Sequence, residues 1–224
     1  MGNECWTEQL FAHQLAYSFL SKTFYEAPTS EFIRLLAEQE LLQDWPLEDD
    51  GDATRSGLAL LQGYCDQWDE SQLAALNEDY ARLFGGAAAL LAHPWESVYR
   101  SQDHLVFEEQ TLQVRQSFQR YGMPIPKLHI EPDDHIGLEL RFIAYLCSAG
   151  LNSLGQNQVE QFHQAQQGIQ QFLREHLLQW ANEFLDKVSE HARTNYYRGL
   201  ASLTRGSLIY SARVFDAVKE LPAS

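Results

Sequence analysis

The sequence predicts an all-α protein, a helical bundle of about ten helices. Apolar residues recur at helical spacing along most of the 224 residues, and no stretch shows the sustained period-two alternation of a half-buried strand. Apolar types make up 45% of the chain and aromatic types 12%, which is ample for a packed core and argues against disorder. No internal repeat of fixed period is present, so the pattern favours a bundle over a solenoid.

The first half of the chain divides into helices at its proline and glycine residues. Thr7 is expected to cap the first helix and Ala27-Pro28 to end it, because proline fixes its own φ and lacks a backbone donor. Gly85-Gly86 is expected to stop the fourth helix. The charge run at 44–52 is interpreted as a solvated acidic loop, and residues 85–105 are less regular. The helices predicted here are 6–25, 30–42, about 53–68, 72–84 and about 107–121.

A proline-punctuated loop at 124–132 separates the two halves and is the best hinge candidate. We therefore expect an N-terminal helical lobe at 1–122 and a C-terminal helical lobe at 136–224, joined by a hinge loop at 123–135. A single integrated domain is the alternative.

The second half is also helical in pattern. A buried helix is predicted at about 134–149, followed by a break at Gly150, Asn152 and Gly155. The glutamine-rich stretch 156–171 is interpreted as a solvated helix of the bundle. Two further helices are predicted at 173–191 and about 196–221.

Charge and cysteine content disfavour several classes of function. Against 31 acidic residues there are 16 basic ones, and the formal charge of -15 repels nucleic acid and favours cationic partners, unless the acidity only keeps the protein soluble. The three cysteines form no CxxC pair, which is typical of a reducing compartment. The first residues lack the basic segment of a signal peptide, and no stretch reaches the roughly 18 apolar residues of a membrane span. We therefore expect a soluble, cytoplasmic protein.

The chemistry of the chain is concentrated at 130–140, where the proline-punctuated loop meets an apolar helix. Pro132 keeps the approach extended, because proline disfavours helical geometry in the residue before it. Asp133 or Asp134 is then expected to cap the helix, since its first backbone N–H groups have no partner within it. His135 follows directly, so a polar cluster is predicted at the rim of a core helix, facing a groove.

One interpretation of this cluster is a metal site. His135 and Glu139 are four residues apart and share a helix face, so with Glu131 and Asp134 they could serve a metal-dependent hydrolase of the helical-bundle type. Such sites usually draw ligands from facing helices as well, and no second carboxylate–histidine cluster occurs. A capping aspartate beside a hydrogen-bonded histidine is the structural alternative. The chain also lacks a Gly-x-Ser-x-Gly motif and a P-loop, which disfavours nucleophilic catalysis and phosphate binding.

Peptide binding is the third interpretation. An acidic groove lined by aromatic side chains suits a peptide that is basic at one end and apolar along the rest, because carboxylates pair well with guanidinium groups. Tyr80, Phe84, Pro94 and Trp95 are candidates for its apolar wall. Taken alone, such aromatic residues are more often core than site.

Several motifs resemble those of a known family. Glu131-Pro132-Asp133-Asp134-His135 resembles the E-P-x-D-H motif of the TorD/DmsD chaperones, which are cytoplasmic maturation factors for exported molybdenum-containing oxidoreductases. Residues 80–84 resemble their aromatic-x-x-Leu-Phe motif, and residues 94–99 their Pro-Trp-x-Ser-Val-aromatic segment, in the same order. Residues 176–186 and 196–200 look like their C-terminal helices, so the likeness extends over nearly the whole chain.

The resemblance implies a two-lobed all-α bundle and a chaperone that is not an enzyme. It would bind the twin-arginine leader and the apo catalytic subunit of a molybdoenzyme until the cofactor is inserted, as a monomer or a domain-swapped dimer. It implies no metal or cofactor of its own, apart from weak binding of guanine nucleotide in some relatives. Asp134 would help to neutralise the arginines of the leader. The contact residues implied by the motifs are Tyr80, Leu83, Phe84, Pro94, Trp95, Asp134 and His135, with Glu131 and Pro132 shaping the loop.

Overall fold

The computed structural model describes residues 3–38, 40–85, 90–101, 106, 108–124 and 132–216. Within these ranges the chain is helical and no residue belongs to a β-strand, so the predicted all-α class is confirmed. The α-helices in these ranges are α1 (Asn3–Tyr25), α2 (Ser30–Glu38), α3 (Asp52–Asp66), α4 (Leu73–Leu83), α5 (Glu96–Arg100), α6 (Glu109–Tyr121), α7 (Ile136–Gly155), α8 (Val159–Phe172), α9 (Leu178–His191) and α10 (Asn195–Val214). None of them is long and apolar enough to cross a membrane.

A π-helical turn at Leu173–Leu177 joins α8 to α9, so residues 159–191 form one continuous helical rod. Single π turns inside α-helices are frequent at functional sites, because they redirect the side chains that they carry. His176 lies in this turn and is buried. The two helices predicted at 156–171 and 173–191 are therefore parts of one rod.

The core lies between helices that are far apart in the sequence. α1 packs along α7, and α3 packs along α10, because each has an apolar face that is stable only against another element. In this arrangement α1 and α3 come from the first predicted lobe, whereas α7 and α10 come from the second. The division into two lobes about a hinge stays a prediction, since residues 125–131 of that loop lie outside the described residues.

α3 and α10 approach each other closely at two glycines. A Cβ atom at position 57 would lie 2.4 Å from the backbone nitrogen of Leu203, and one at position 206 would lie 2.8 Å from the backbone nitrogen of Thr54. Real Cβ atoms essentially never come within 3.0 Å of another heavy atom in this way. Gly57 and Gly206 therefore set the distance between the two helices.

One prediction in the first half of the chain is wrong. α1 begins at Asn3, so Thr7 lies inside the helix and does not cap it. The segment 85–105, predicted to be less regular, contains the short helix α5 among its described residues. The predicted stop at Gly85 fits the end of α4, but Gly86 lies outside the described residues.

The predicted break after the buried helix is wrong at Gly150 and Asn152, although α7 does end at Gly155. α7 continues through Gly150 and Asn152. Gly150 lies where α1 packs on α7, because a Cβ there would be 2.9 Å from Cδ1 of Leu10. The turn comes later, at Asn157, whose φ of 57° is tolerated by asparagine in the left-handed region. α10 ends at Val214 instead of near 221.

Candidate functional site

The E-P-x-D-H motif and the Pro-Trp motif lie side by side in the structure. The N–H of Ile136 donates to the carbonyl of Pro94 at 2.8 Å, and the N–H of Glu96 donates to the carbonyl of Asp134 at 3.0 Å. These bonds form a short antiparallel bridge. Two distant segments of the sequence thus meet at one crossing point, from which α5 and α7 begin.

Asp134 holds this crossing point together from within. It is 0% exposed; Oδ2 accepts the N–H of Ser97 at 2.8 Å, and Oδ1 accepts the hydroxyl of Thr111 at 2.8 Å. The first bond satisfies an N–H in the first turn of α5, and the second ties α6 to the same point. Burial raises the pKa of Asp134, while the bonds from Ser97 and Thr111 act in the opposite direction. The carboxylate is therefore fully engaged by the protein.

His135 caps α7, which corrects the prediction that an aspartate would do so. Its Nδ1 accepts the N–H of Gly137 at 3.0 Å, and this requires the neutral tautomer that carries its proton on Nε2. Burial lowers the pKa of His135 to about 3. Its ring lies edge-on to Tyr25, with the centroids 5.2 Å apart, and faces Trp95 across the bridge.

The neighbouring residues fasten the motif to α6 and α1. Asp133 is 0% exposed and forms an ion pair with Arg115 of α6. The carbonyl of Gly137 accepts the hydroxyl of Ser21 at 2.7 Å. A Cβ at position 137 would lie 2.7 Å from the Cβ of Tyr25, so only glycine lets α7 begin this close to α1. Both aspartates therefore point to other elements, which explains why neither caps α7.

The aromatic-x-x-Leu-Phe motif lies in the adjoining core. Leu83 is 0% exposed and Phe84 is 4% exposed. The ring of Phe84 contacts Phe24 and Phe184, with centroid separations of 5.7 and 5.8 Å. Tyr80 is half-buried, and its hydroxyl donates to the carbonyl of Phe24 at 3.4 Å. The predicted apolar wall is thus part of the core in this arrangement.

The predicted contact residues form two neighbouring groups. One group comprises Pro94, Trp95, Pro132, Asp134 and His135 at the crossing point, and the other comprises Tyr80, Leu83 and Phe84. Of these eight, Tyr80 and Trp95 are half-buried and the rest are buried. Glu131 lies outside the described residues. The side chains are brought together, but most of them do not face an open groove here.

Other residues that complete the site carry little or no signal in the sequence. Thr111 contacts Asp134 across 23 residues, a separation that no local motif encodes. Glu139, a candidate metal ligand by spacing, instead accepts the indole N–H of Trp180 at 3.1 Å. Glu96 contacts Nδ1 of His176 at 2.8 Å. These contacts join α5, α7 and the π turn, and they depend on the tertiary fold.

The arrangement gives no support to the hydrolase alternative. Among the described residues there is no group of three or more His, Cys, Asp or Glu side chains that could hold a metal ion. Protein N–H and O–H groups already occupy both oxygens of Asp134 and the Nδ1 of His135. Glu139 faces Trp180, and Glu131 is not among the described residues.

The fold and the site together define a class: an all-helical protein whose motif residues are buried and hold helices in position. Residues 47–186 match the family model described as nitrate reductase delta subunit. The chain belongs to this family, which includes the TorD/DmsD proteins, so the predicted resemblance to that family is confirmed.

Curated relatives are similar along most of their length. The chain is 28% identical to the probable Tat proofreading chaperone DmsD of Haemophilus influenzae, over 83% of this chain and 82% of that one. It is 28% identical to the Tat proofreading chaperone DmsD of Salmonella typhi, over 84% and 83%, and 25% identical to the chaperone protein TorD of Shewanella pealeana, over 84% and 82%. A solved structure of a putative redox enzyme maturation protein from Archaeoglobus fulgidus has the same fold, with a TM-score of 0.53 at 16% identity, over 86% and 92% of the two chains.

Proposed function

We propose that this protein is a cytoplasmic maturation chaperone for an exported molybdenum-containing oxidoreductase. It binds the twin-arginine leader and the apo form of the catalytic subunit until the cofactor is inserted. The observation that carries this proposal is the family match over 47–186, together with relatives that are named Tat proofreading chaperones.

The charge of the chain supports a basic ligand. A formal charge of -15 attracts a segment that carries two arginines and accelerates the encounter at low salt. The apolar part of a leader then needs an apolar surface. The rings of Tyr25 and Trp95 lie beside His135 of the motif, and Phe84 lies in the adjoining aromatic core. In this proposal the negative charge attracts the arginines, and the aromatic side chains contribute most of the affinity.

We propose that the leader is contacted in two stages. The half-buried Tyr80 and Trp95 make the first contacts. Leu83, Phe84, Pro94, Asp134 and His135 take part once the crossing point rearranges, with Glu131 and Pro132 shaping the loop. The rearrangement is required because the carboxylate of Asp134 is 0% exposed and a guanidinium must reach it to form a bond.

Calorimetric titration with a twin-arginine leader peptide tests this proposal. The peptide comes from a molybdoenzyme encoded in the same genome, and a matched peptide has both arginines replaced by alanine. We expect micromolar or tighter binding that weakens with the control peptide. Equal affinity for both would remove the charge argument, and no binding to any such leader by folded protein would overturn the proposed function.

A pair of variants tests the contact residues. Trp95→Ala should weaken leader binding about tenfold or more, since aromatic side chains dominate such interfaces. Phe11→Ala is the matched control, because Phe11 is a large side chain on α1 that is 55% exposed. Binding that is unchanged in Trp95→Ala, or equally weakened in both variants, would contradict the assignment.

Size-exclusion chromatography with light scattering distinguishes a monomer from a domain-swapped dimer.

A further inference from the structure

Two buried carboxyl groups face each other between α5 and α7. Glu96 and Glu139 are both 0% exposed. Their partners, His176 and Trp180, are four residues apart on the same helical rod, which places the two carboxyl groups side by side. Oε2 of Glu139 accepts the indole N–H of Trp180 at 3.1 Å, while Oε1 has no hydrogen-bond donor among the described residues. A buried carboxylate oxygen without a donor is costly, so this pair requires an explanation.

A shared proton satisfies the pair. Two carboxylates in contact in a dry site do not both ionise readily, and the proton belongs to the pair as a unit. Glu96 is the natural acceptor, because it already pairs with Arg100 and with Nδ1 of His176. Among the described residues, the indole N–H of Trp180 is the one donor to Glu139. Burial, and next the charge of Glu96, raise the pKa of Glu139 well above its ordinary value.

In the part of the chain that the structure describes, the groups that face this pair come from four elements. Glu96 and Arg100 belong to α5, Glu139 to α7, His176 to the π turn, and Trp180 to α9. One further charge acts on it from the segment before α7, since Asp134 also raises the pKa of Glu139. Among these neighbours, Arg100 supplies a positive charge that favours an ionised carboxylate. It contacts Glu96 and not Glu139, which leaves the proton on Glu139.

Two buried hydroxyl groups of α5, near the carboxyl pair, lack hydrogen bonds to any described residue. The hydroxyls of Ser97 and Tyr99 are buried and have no hydrogen-bond partner among the described residues. The ring of Tyr99 covers Trp180 and approaches Phe184, with centroid separations of 5.3 and 6.5 Å. α5 has only five residues, and it is held mainly by the bond from Ser97 to Asp134 and by the polar contacts of Glu96. A short element with unsatisfied polar groups opens at a low free-energy cost.

We propose that the Glu96–Glu139 pair is a proton-dependent latch, which fastens α5 over the aromatic wall formed by Phe84, Trp180 and Phe184. With the proton present, Glu139 donates to Glu96 and α5 stays closed. When the proton is lost at higher pH, two adjacent carboxylates repel each other and α5 lifts from the wall. Lifting of α5 then admits the apolar segment of the leader, and this last step rests on the proposed function.

The latch itself is tested without any client. Carboxyl-labelled glutamate in the full chain is titrated by carbon NMR, and amide-exchange protection of α5 is measured over the same pH range. Glu139 should titrate well above an ordinary carboxyl group, and α5 protection factors should fall as it does. Glu139→Gln, whose amide donates to Glu96 at every pH, should keep α5 protected. Glu78→Gln, an exposed glutamate of α4, should behave as the wild type.

Two outcomes would overturn the latch. One is an ordinary titration of Glu139. The other is a fall in α5 protection with pH that is the same in the wild type and in Glu139→Gln. If Glu139→Gln does not fold, Glu96→Gln gives the second test, since its amide donates to Glu139 and should also remove the pH dependence.

Leader titration at several pH values separates the latch from the proposed function. Leader affinity should rise with pH in the wild type, by at most about tenfold per pH unit for one linked proton, and should stay flat in Glu139→Gln. Affinity with the same pH dependence in both proteins would overturn the role of the latch in client entry. Absence of binding in both would overturn the proposed function, while the NMR titration would still decide the latch.

Discussion

Asp134 accepts the backbone N–H of Ser97 at 2.8 Å, across 37 residues of sequence. The same carboxylate accepts the hydroxyl of Thr111, so one buried group joins the first turns of α5 and α6 to the segment before α7. The aspartate of the motif therefore sets the position of α5. Its influence on a bound client would be exerted through that position as well as through its charge.

Replacing Asp134 with alanine should destabilise the protein by about 3 kcal/mol, because hydrogen bonds to a buried charged group are strong and their partners would be left unsatisfied. Asp134→Asn keeps one acceptor oxygen and should lose less. Urea unfolding measures both. Asp186→Asn is the control, since Asp186 pairs with Arg205 at the surface and is 73% exposed; it should change stability by less than about 0.5 kcal/mol. If Asp134→Ala and Asp186→Asn had equal stability, the contacts of Asp134 would contribute nothing to the free energy of unfolding.

The leader affinity of Asp134→Asn tests a different property. If Asp134 neutralises an arginine of the leader, the loss of its charge should weaken binding of the twin-arginine peptide more than binding of the alanine control peptide. Calorimetry with both peptides measures the difference. An unchanged affinity would show that the aspartate acts by position alone.

The position of the site was predictable from the sequence, but the contacts within it were not. The motif around Asp134 and the Pro-Trp segment were predicted to belong to one site, and they do meet at an antiparallel bridge. The partners Thr111, His176 and Trp180 were not predicted. Their contacts span tens of residues, and no periodicity records which helix faces which.

The close approach of α3 and α10 predicts opposite effects for two glycines of the same helix. Gly57→Ala should destabilise the protein by about 2 kcal/mol, because the new methyl group would meet the backbone of Leu203. Gly63→Ala should stabilise it by about 0.5–1 kcal/mol, because no described residue lies within 4 Å of a Cβ there and alanine is the better helix former. Thermal and urea unfolding measure both. A stabilising Gly57→Ala would contradict the packing of α3 on α10.

The predicted helix boundary was wrong where a glycine allows two helices to pack closely. Gly150 was predicted to break a helix, yet it lies inside α7 opposite Leu10. A glycine that permits close contact and a glycine that ends a helix look the same in one sequence. The class of fold was predictable, because the 3.6-residue period of apolar residues records burial directly.

Asp79 links α4 to the start of α10 and should be a second point of high sensitivity. It is 1% exposed, and its Oδ2 accepts the N–H of Arg193 at 2.9 Å and both the N–H and the hydroxyl of Thr194. Asp79→Ala leaves these donors unsatisfied and should cost about 3 kcal/mol by urea unfolding. Glu78→Gln is the adjacent control. Glu78 forms an exposed pair with Arg193 and should contribute about 0.5 kcal/mol or less.

The free energy of unfolding should be sensitive to acid because of His13, a residue of α1 that packs against α10. It is 0% exposed, and its ring stacks with those of Tyr17 and Tyr210 at centroid distances of 6.2 and 5.7 Å. Its Nδ1 is 2.6 Å from the carbonyl oxygen of Gln9, while Nε2 has no partner among the described residues. Burial lowers the pKa of His13 from 6.5 to about 4. The folded state therefore binds this proton more weakly than the unfolded state does.

The sign of the effect follows from that lowered pKa. The stability contributed by neutral His13 is present above pH 6.5 and is lost as the pH falls towards 4, with about 2 kcal/mol lost between pH 7 and pH 5. Urea unfolding at both pH values measures the loss in the wild type and in His13→Phe, which keeps a ring but has no proton to bind. The difference between the two pH values should be about 2 kcal/mol smaller in the variant. An equal difference in both proteins would mean that His13 titrates normally, and that its site admits water.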